Sequence, residues 1–234
     1  MRSSPAVRVI LFGATGMIGG GVLRECLLDP DVDRVLAIGR GKTGQEHEKL
    51  RELVLPDLAD YSAVAAELSG YDACFFCLGV SSSGLSEAEY RRVIYDIAVA
   101  AARALVEVSP AMTFVFVSGA GSDATSKTMW SRVKGEAENA ILALPFRGKY
   151  AFRPALVRPM YGIKSRTRSY RILYSATKPL LPIMGALAPR YVTTTEKVAR
   201  AMLNVARKGA AKPILENDDI NAAAGVEQST RGTP

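Results

Sequence analysis

Residues 7–12 (VRVILF) are β-branched or apolar apart from Arg8, the pattern of a buried strand. A glycine-rich turn follows. Helical spacing then covers 17–28 and stops at Asp29-Pro30. Residues 32–38 predict a second strand, 39–45 a polar, glycine-rich loop, and 50–55 a short third strand. Residues 60–68 have helical spacing, with Asp60 placed to cap them. The apolar run 73–78 predicts a fourth, buried strand. Helical periodicity covers 86–108, opened by Ser86 with Glu89 three residues on, the spelling of a capping box. Residues 112–117 predict a fifth strand, 126–144 a helix and 150–157 a sixth strand. Helical stretches follow near 169–178 and 195–207, and 213–215 suit an edge strand. Strands alternating with helices predict βαβ units: a parallel sheet covered on both faces, with right-handed crossovers.

Length and composition narrow the function classes. The chain has 234 residues, 48% of them hydrophobic, enough for one large domain with its own core. The expected organisation is one domain over 1–221, with a small C-terminal lobe at roughly 160–212 and a small, polar, disordered tail at 222–234. Three cysteines and one histidine exclude a disulfide scaffold, a histidine-based triad and a two-histidine metal site, so no metal is expected. His47 sits in a polar stretch and reads as a surface residue. Met1 to Pro5 run straight into the first strand without a secretory signal, which points to the cytoplasm. The net charge of +7 is unevenly spread: 147–212 carry 15 Lys/Arg against the single acid Glu196. Such a region suits an anionic substrate, a cofactor phosphate or a membrane surface. No nucleic-acid-reading motif appears, and no nucleic-acid partner is expected.

The candidate chemistry starts at Gly13-Ala14-Thr15-Gly16-Met17-Ile18-Gly19, between the first strand and first helix. In that context glycines allow a tight turn and a close backbone approach to a pyrophosphate, which then meets the helix N-terminus. No Gly-Lys-Ser/Thr follows, so the loop is not a P-loop. The second strand ends Gly39-Arg40, where NAD enzymes usually place an acid for the ribose 2′-hydroxyl. A guanidinium there, with Lys42 close by, suits a 2′-phosphate and favours NADP(H) over NAD(H). Cys74-Phe75-Phe76-Cys77 has the spelling of a redox motif. Strand alternation sends its two sulfurs to opposite faces, so it reads as core.

These features resemble the short-chain dehydrogenase/reductase superfamily, in its atypical branch with the Tat-interacting oxidoreductases and NAD-dependent epimerase/dehydratase-like proteins. The similarity spans residues 7–220. It rests on the glycine loop, Arg40, Asp57-Leu58, Cys77-Leu78-Gly79, Ser118-Gly119, Val133-Lys134-Gly135-Glu136 and Arg153-Pro154. The resemblance implies a doubly wound α/β Rossmann fold. It places Asp57 and Leu58 by the adenine, Cys77, Leu78 and Gly79 along the cofactor ribose, and Pro154 and Ala155 near the nicotinamide. It makes Ser118 the serine of the active site and Lys134 the lysine of a Tyr-x-x-x-Lys pair, which also bonds the nicotinamide ribose.

The tyrosine of that pair is absent: four residues before Lys134 stands Trp130. An indole N–H can donate a hydrogen bond but cannot release a proton near neutral pH. The second of the family's paired serines is Gly119, with Ser122 a candidate substitute. Three readings remain. Another group supplies the proton, Tyr161 being the nearest by topology; hydride passes to a flavin or quinone without an acid; or NADPH is bound without turnover. A non-redox epimerase or dehydratase is a weaker alternative, since those usually need the missing tyrosine. Ser81-Ser82-Ser83-Gly84 follows the fourth strand and suits a substrate-pocket wall as well as a plain loop. The stretch with Arg166, Arg168 and Arg171 suits a lid, a partner surface or an interfacial helix. The expected partner is a small-molecule substrate.

Overall fold

The computed structural model describes residues 6–163 and 189–225. The helix expected near 169–178, and Arg166, Arg168 and Arg171, lie outside the described residues. Seven strands form one sheet in the order β3-β2-β1-β4-β5-β6-β9: β1 Val7–Phe12, β2 Val32–Gly39, β3 Leu50–Val54, β4 Ala73–Phe76, β5 Thr113–Val117, β6 Gly148–Arg153 and β9 Ile214–Glu216. Every neighbouring pair in it is parallel. The strand order reverses between β1 and β4, so a crevice opens beyond their carboxyl ends.

Each sheet face buries its own core. On one, α2 Glu87–Arg91, a π turn Arg92–Asp96 and α3 Ile97–Val108 join α4 Met129–Leu142 over Phe12, Phe76, Phe114 and Phe116. On the other, α1 Met17–Leu28, α5 Thr195–Lys208 and α6 Asn217–Ala223 cover Leu11, Phe75, Val115 and Phe152. The close approach of α1 and α5 requires Gly21: a Cβ there would lie 2.6 Å from the Cβ of Thr195.

Several expected boundaries move, each for a local reason. The sixth strand ends at Arg153, because Pro154 has no N–H to continue the ladder. The chain resumes as β7 Leu156–Arg158, which pairs with β8 Val192–Thr194 in a separate two-stranded sheet. Asp60 accepts from the backbone N–H of Ser62, two residues on, and a 3-10 helix Ser62–Leu68 follows instead of an α-helix. Asp123 and Ser126 take the N–H groups of Thr125 and Thr128, which holds 123–128 as turns and delays α4 to Met129. The capping box at Ser86 forms as expected, but the helix it opens contains the π turn. Ala222 and Ala223, assigned above to a disordered tail, belong to α6; a capping box between Glu216 and Asp219 starts that helix and Ile220 buries it.

Candidate functional site

The glycine loop stands at the reversal point. Gly13 has φ +78°, and a Cβ on it would lie 2.7 Å from the carbonyl carbon and oxygen of Cys77. The loops after β1 and β4 therefore touch backbone to backbone. A Cβ on Gly19 would lie 2.1 Å from the Gly13 carbonyl oxygen, which already accepts the N–H of Gly16 at 2.9 Å. Gly16 is the N-cap of α1; no described side chain caps that helix, and its first turn has no acid. Its free N–H groups and positive dipole end meet no anion among the described residues. Thr15 and Met17 are half-buried around this end, and Ile18 packs on the core. These residues fit a dinucleotide pyrophosphate: the backbone is bare where the phosphates must approach, and donors are unspent where their charge must be met.

Arg40 and Lys42 are exposed beyond β2. Their loop is held from below, where Glu52 of β3 accepts the Thr43 N–H at 2.6 Å; that bond keeps the Glu52 carboxyl below the ordinary range. Asp57 is exposed and accepts the Ala59 N–H. Leu58, 3% exposed, puts its side chain in the core with Ile38 and Tyr61, and its carbonyl accepts the Tyr61 hydroxyl. Cys74 and Cys77 fall in the cores of opposite sheet faces, as alternation requires, and burial pushes both thiols up. Leu78 and the exposed Gly79 lie beside the π turn: a Cβ on Gly79 would touch Ile94 at 3.7 Å. Sequence periodicity did not reveal this turn, in which Ile94 is buried in the core.

A second cluster forms where the loop after β5 presses on α4. Gly135 permits it: a Cβ there would lie 2.2 Å from the Ala124 nitrogen. The Lys134 ammonium donates to the Ser118 carbonyl at 2.8 Å. The Ser118 and Ser122 hydroxyls are 2.8 Å apart, and Ser122 Oγ donates to the Gly119 carbonyl at 2.8 Å. Trp130 borders the same loop, with its ring edge 3.5 Å from where a Gly121 Cβ would stand. Lys134, Ser118, Ser122 and Trp130 are thus brought together. Burial lowers the Lys134 pKa to about 8, against the opposing pull of Glu138 one turn along α4. Pro154 is buried and its carbonyl accepts the Ala120 N–H; the Ala155 N–H goes to Asn217.

Tyr161 is engaged elsewhere. It is 55% exposed at φ 55°, its hydroxyl donates to Glu196 of α5 at 2.8 Å, and the Arg24 guanidinium of α1 covers its ring at 3.6 Å. The bond to Glu196 raises its pKa. A small cavity of about 130 Å³ lies between β7, β8 and the first turn of α5, lined by Arg158, Met160, Thr194, Glu196 and Arg200; no glycine-loop residue lines it. Among the described residues no acid, cysteine and histidine cluster suits a metal, and no helix is long and apolar enough to cross a membrane.

Known proteins of similar sequence and shape agree with this architecture. The protein HTATIP2 of Rattus norvegicus is 28% identical over 217 residues, covering 91% of this chain and 87% of its own. The mitochondrial protein FMP52-2 of Scheffersomyces stipitis is 29% identical over 166 residues, covering 70% of this chain and 71% of its own. A short-chain dehydrogenase/reductase family oxidoreductase from Burkholderia thailandensis superposes with a TM-score of 0.68 at 18% identity, covering 94% of each chain. The Bordetella bronchiseptica enzyme WbmF, solved in complex with NAD+, does so at 0.66 and 14% identity, covering 94% of this chain and 77% of that one. A family model matches residues 9–137, from β1 through the lysine of α4, and by that match the chain belongs to the NAD-dependent epimerase/dehydratase family.

Proposed function

We propose that the protein is an NADP(H)-dependent oxidoreductase of the atypical short-chain type, acting on a small carbonyl or hydroxyl compound. The observation that carries this reading is the uncapped α1 N-terminus, framed by Gly13 and Gly19 against the Cys77 carbonyl. When bound, the nicotinamide supplies or accepts hydride. The chain's part is to hold it: the Gly13, Gly16 and Gly19 loop takes the pyrophosphate and Arg40 the 2′-phosphate. Asp57 and the Leu58 backbone border the adenine, Cys77, Leu78 and Gly79 follow the ribose, and Pro154 and Ala155 back the nicotinamide. Lys134, held by the Ser118 carbonyl, faces the reacting carbonyl. A second reading, an NADPH-holding sensor without turnover, is favoured by Trp130 in the tyrosine's place and by the engagement of Tyr161 with Glu196. The expected location is the cytoplasm, which cell fractionation checks against the mitochondrial names of the fungal relatives.

Trp130, the single tryptophan, reports binding. NADPH should quench its emission saturably and at lower concentration than NADH. Replacing Arg40 by Asp removes a charge-assisted contact of about 1.5–3 kcal/mol and places a carboxylate where the 2′-phosphate would be. NADPH should then bind roughly 10- to 100-fold more weakly while NADH binds as well or better. Equal affinities for both nucleotides in the wild type would demote Arg40 to a surface residue, and binding of neither would remove the oxidoreductase reading.

A further inference from the structure

We propose that Lys134 is itself the proton donor of this site, taking over from the tyrosine that Trp130 replaces; the inference rests on the carbonyl-reducing reading above. The described hydroxyls of the neighbourhood have spent their protons. Ser122 gives its hydrogen to the Gly119 carbonyl, so the 2.8 Å contact between the two serines must be donated by Ser118. Both serines are buried, and neither proton is offered outward. The Tyr161 proton lies on Glu196. The Trp130 indole keeps its own at any pH near neutral.

Lys134 differs in each respect. An ammonium has three hydrogens, and one suffices for the Ser118 carbonyl. Its nitrogen lies 3.5 Å from where a Gly119 Cβ would stand, so the glycine in place of a second serine leaves the space of a methyl group beside the ammonium. No described carboxylate pairs with it: Glu138, one turn away, is taken by Arg153 of β6. Of the other charges on elements packed against α4, Arg91 pairs with Glu136, Arg132 with Glu87 and Arg153 additionally with Glu216, Lys149 donates to the Leu144 carbonyl, and Glu89, Arg92, Asp96, Arg103 and Glu107 are exposed. An unpaired, desolvated ammonium gives up its proton readily, and its pKa near 8 agrees. In the reductive direction the carbonyl carbon takes hydride from the reduced nicotinamide and the oxygen takes a proton from Lys134 Nζ. The products are an alcohol, an oxidised nicotinamide and a neutral amine that regains its proton from water.

The test uses the full chain. Competitive acetylation with acetic anhydride, read lysine by lysine by mass spectrometry from pH 6.5 to 10.5, follows the neutral amine with and without NADPH. NADPH oxidation with 4-nitrobenzaldehyde is followed over the same range, and calorimetry measures NADPH binding separately. Lys134 should label with a midpoint near pH 8 while exposed lysines label near 10.4, and NADPH should slow its labelling at least tenfold. Wild-type turnover should fall about tenfold per pH unit above that midpoint, since only the ammonium can donate. Lys134→Arg keeps the charge but not the labile proton; at NADPH concentrations that calorimetry shows to be saturating, it should lose at least 100-fold in turnover. The wild-type labelling and pH profile decide the matter even if that variant misfolds. A Lys134 midpoint near 10.4, a profile flat through pH 8, a working Lys134→Arg enzyme, or no aldehyde turnover by wild type with NADPH bound would each overturn the proposal. Failure of the wild type to bind NADPH at all would instead strike the functional reading beneath it.

Discussion

Glu138→Gln should lower the thermal midpoint by about 10 °C, the largest stability effect expected of any single conservative change in this chain. Glu138 is 1% exposed on α4 and accepts from both the Nε and Nη2 groups of Arg153. Arg153 in turn reaches Glu216, whose backbone N–H is bonded by Asp219 at the start of α6. The network joins α4, β6, β9 and α6, and it draws on residues from 138 to 219. Removing the Glu138 charge leaves the largely buried Arg153 with only the half-exposed Glu216 opposite it; losing one charge of a buried pair costs about 3–5 kcal/mol, and each kcal/mol moves the midpoint of a domain this size by about 2–4 °C. Glu216→Gln removes the half-exposed partner and should cost less than about 1 kcal/mol. Replacing Glu138 and Arg153 together by methionine should recover most of the loss, because no buried unpaired charge remains. Calorimetry of the four proteins checks this order, and a Glu138→Gln protein melting within 2 °C of wild type would refute it. The same change should shift the Lys134 labelling midpoint further below 8, since Glu138 is the charge that favours the ammonium.

The residues that could be read from sequence are those whose reason is local. The Gly13 to Gly19 loop depends on chain neighbours and a strand-turn-helix context, and it stands at the sheet's reversal point. The separation of Cys74 from Cys77 follows from strand alternation alone. The Ser86 capping box needs only Glu89 three residues away. What stayed hidden depends on partners distant in sequence. Arg153 looked like a family marker in the sixth strand, yet its importance comes from Glu138 and Glu216. Tyr161 stood near the site by topology, but Arg24 and Glu196 hold it, and those contacts require α1 and α5 to be packed side by side. The π turn leaves the apolar periodicity of 86–108 almost unchanged, since one extra residue in a long helix rotates the pattern without breaking it. The spent protons of Ser118 and Ser122 depend on hydrogen-bond direction, which no spacing encodes.

Gly19→Ala should abolish NADPH binding, a loss of at least 100-fold, whereas Gly20→Ala, one residue later, should bind as wild type does and melt higher. Both residues lie in the first turn and a half of α1, both are glycine, and composition or propensity would rank the two changes alike. The geometry separates them. At Gly19 the new Cβ would stand 2.1 Å from the Gly13 carbonyl oxygen and 2.6 Å from its carbon, so the backbone of the turn must give way. That carbonyl holds the Gly16 N–H at 2.9 Å, and Gly13 itself cannot retreat because it rests against the Cys77 backbone. The displacement therefore spreads to the N–H groups at the head of α1, the donors a pyrophosphate would use. At Gly20 the nearest atoms, the Ala14 oxygen and an Ile163 methyl, would lie at 3.5 and 3.7 Å, which is ordinary contact. There the change only removes backbone freedom from the unfolded chain, worth about 0.5–1 kcal/mol in a helix. Far-UV circular dichroism of both proteins establishes that the fold survives, and calorimetric titration with NADPH reads the site. If Gly19→Ala bound NADPH within threefold of wild type, the glycine loop would be a packing device between β1, β4 and α1, and the cofactor would have to be sought elsewhere on the sheet.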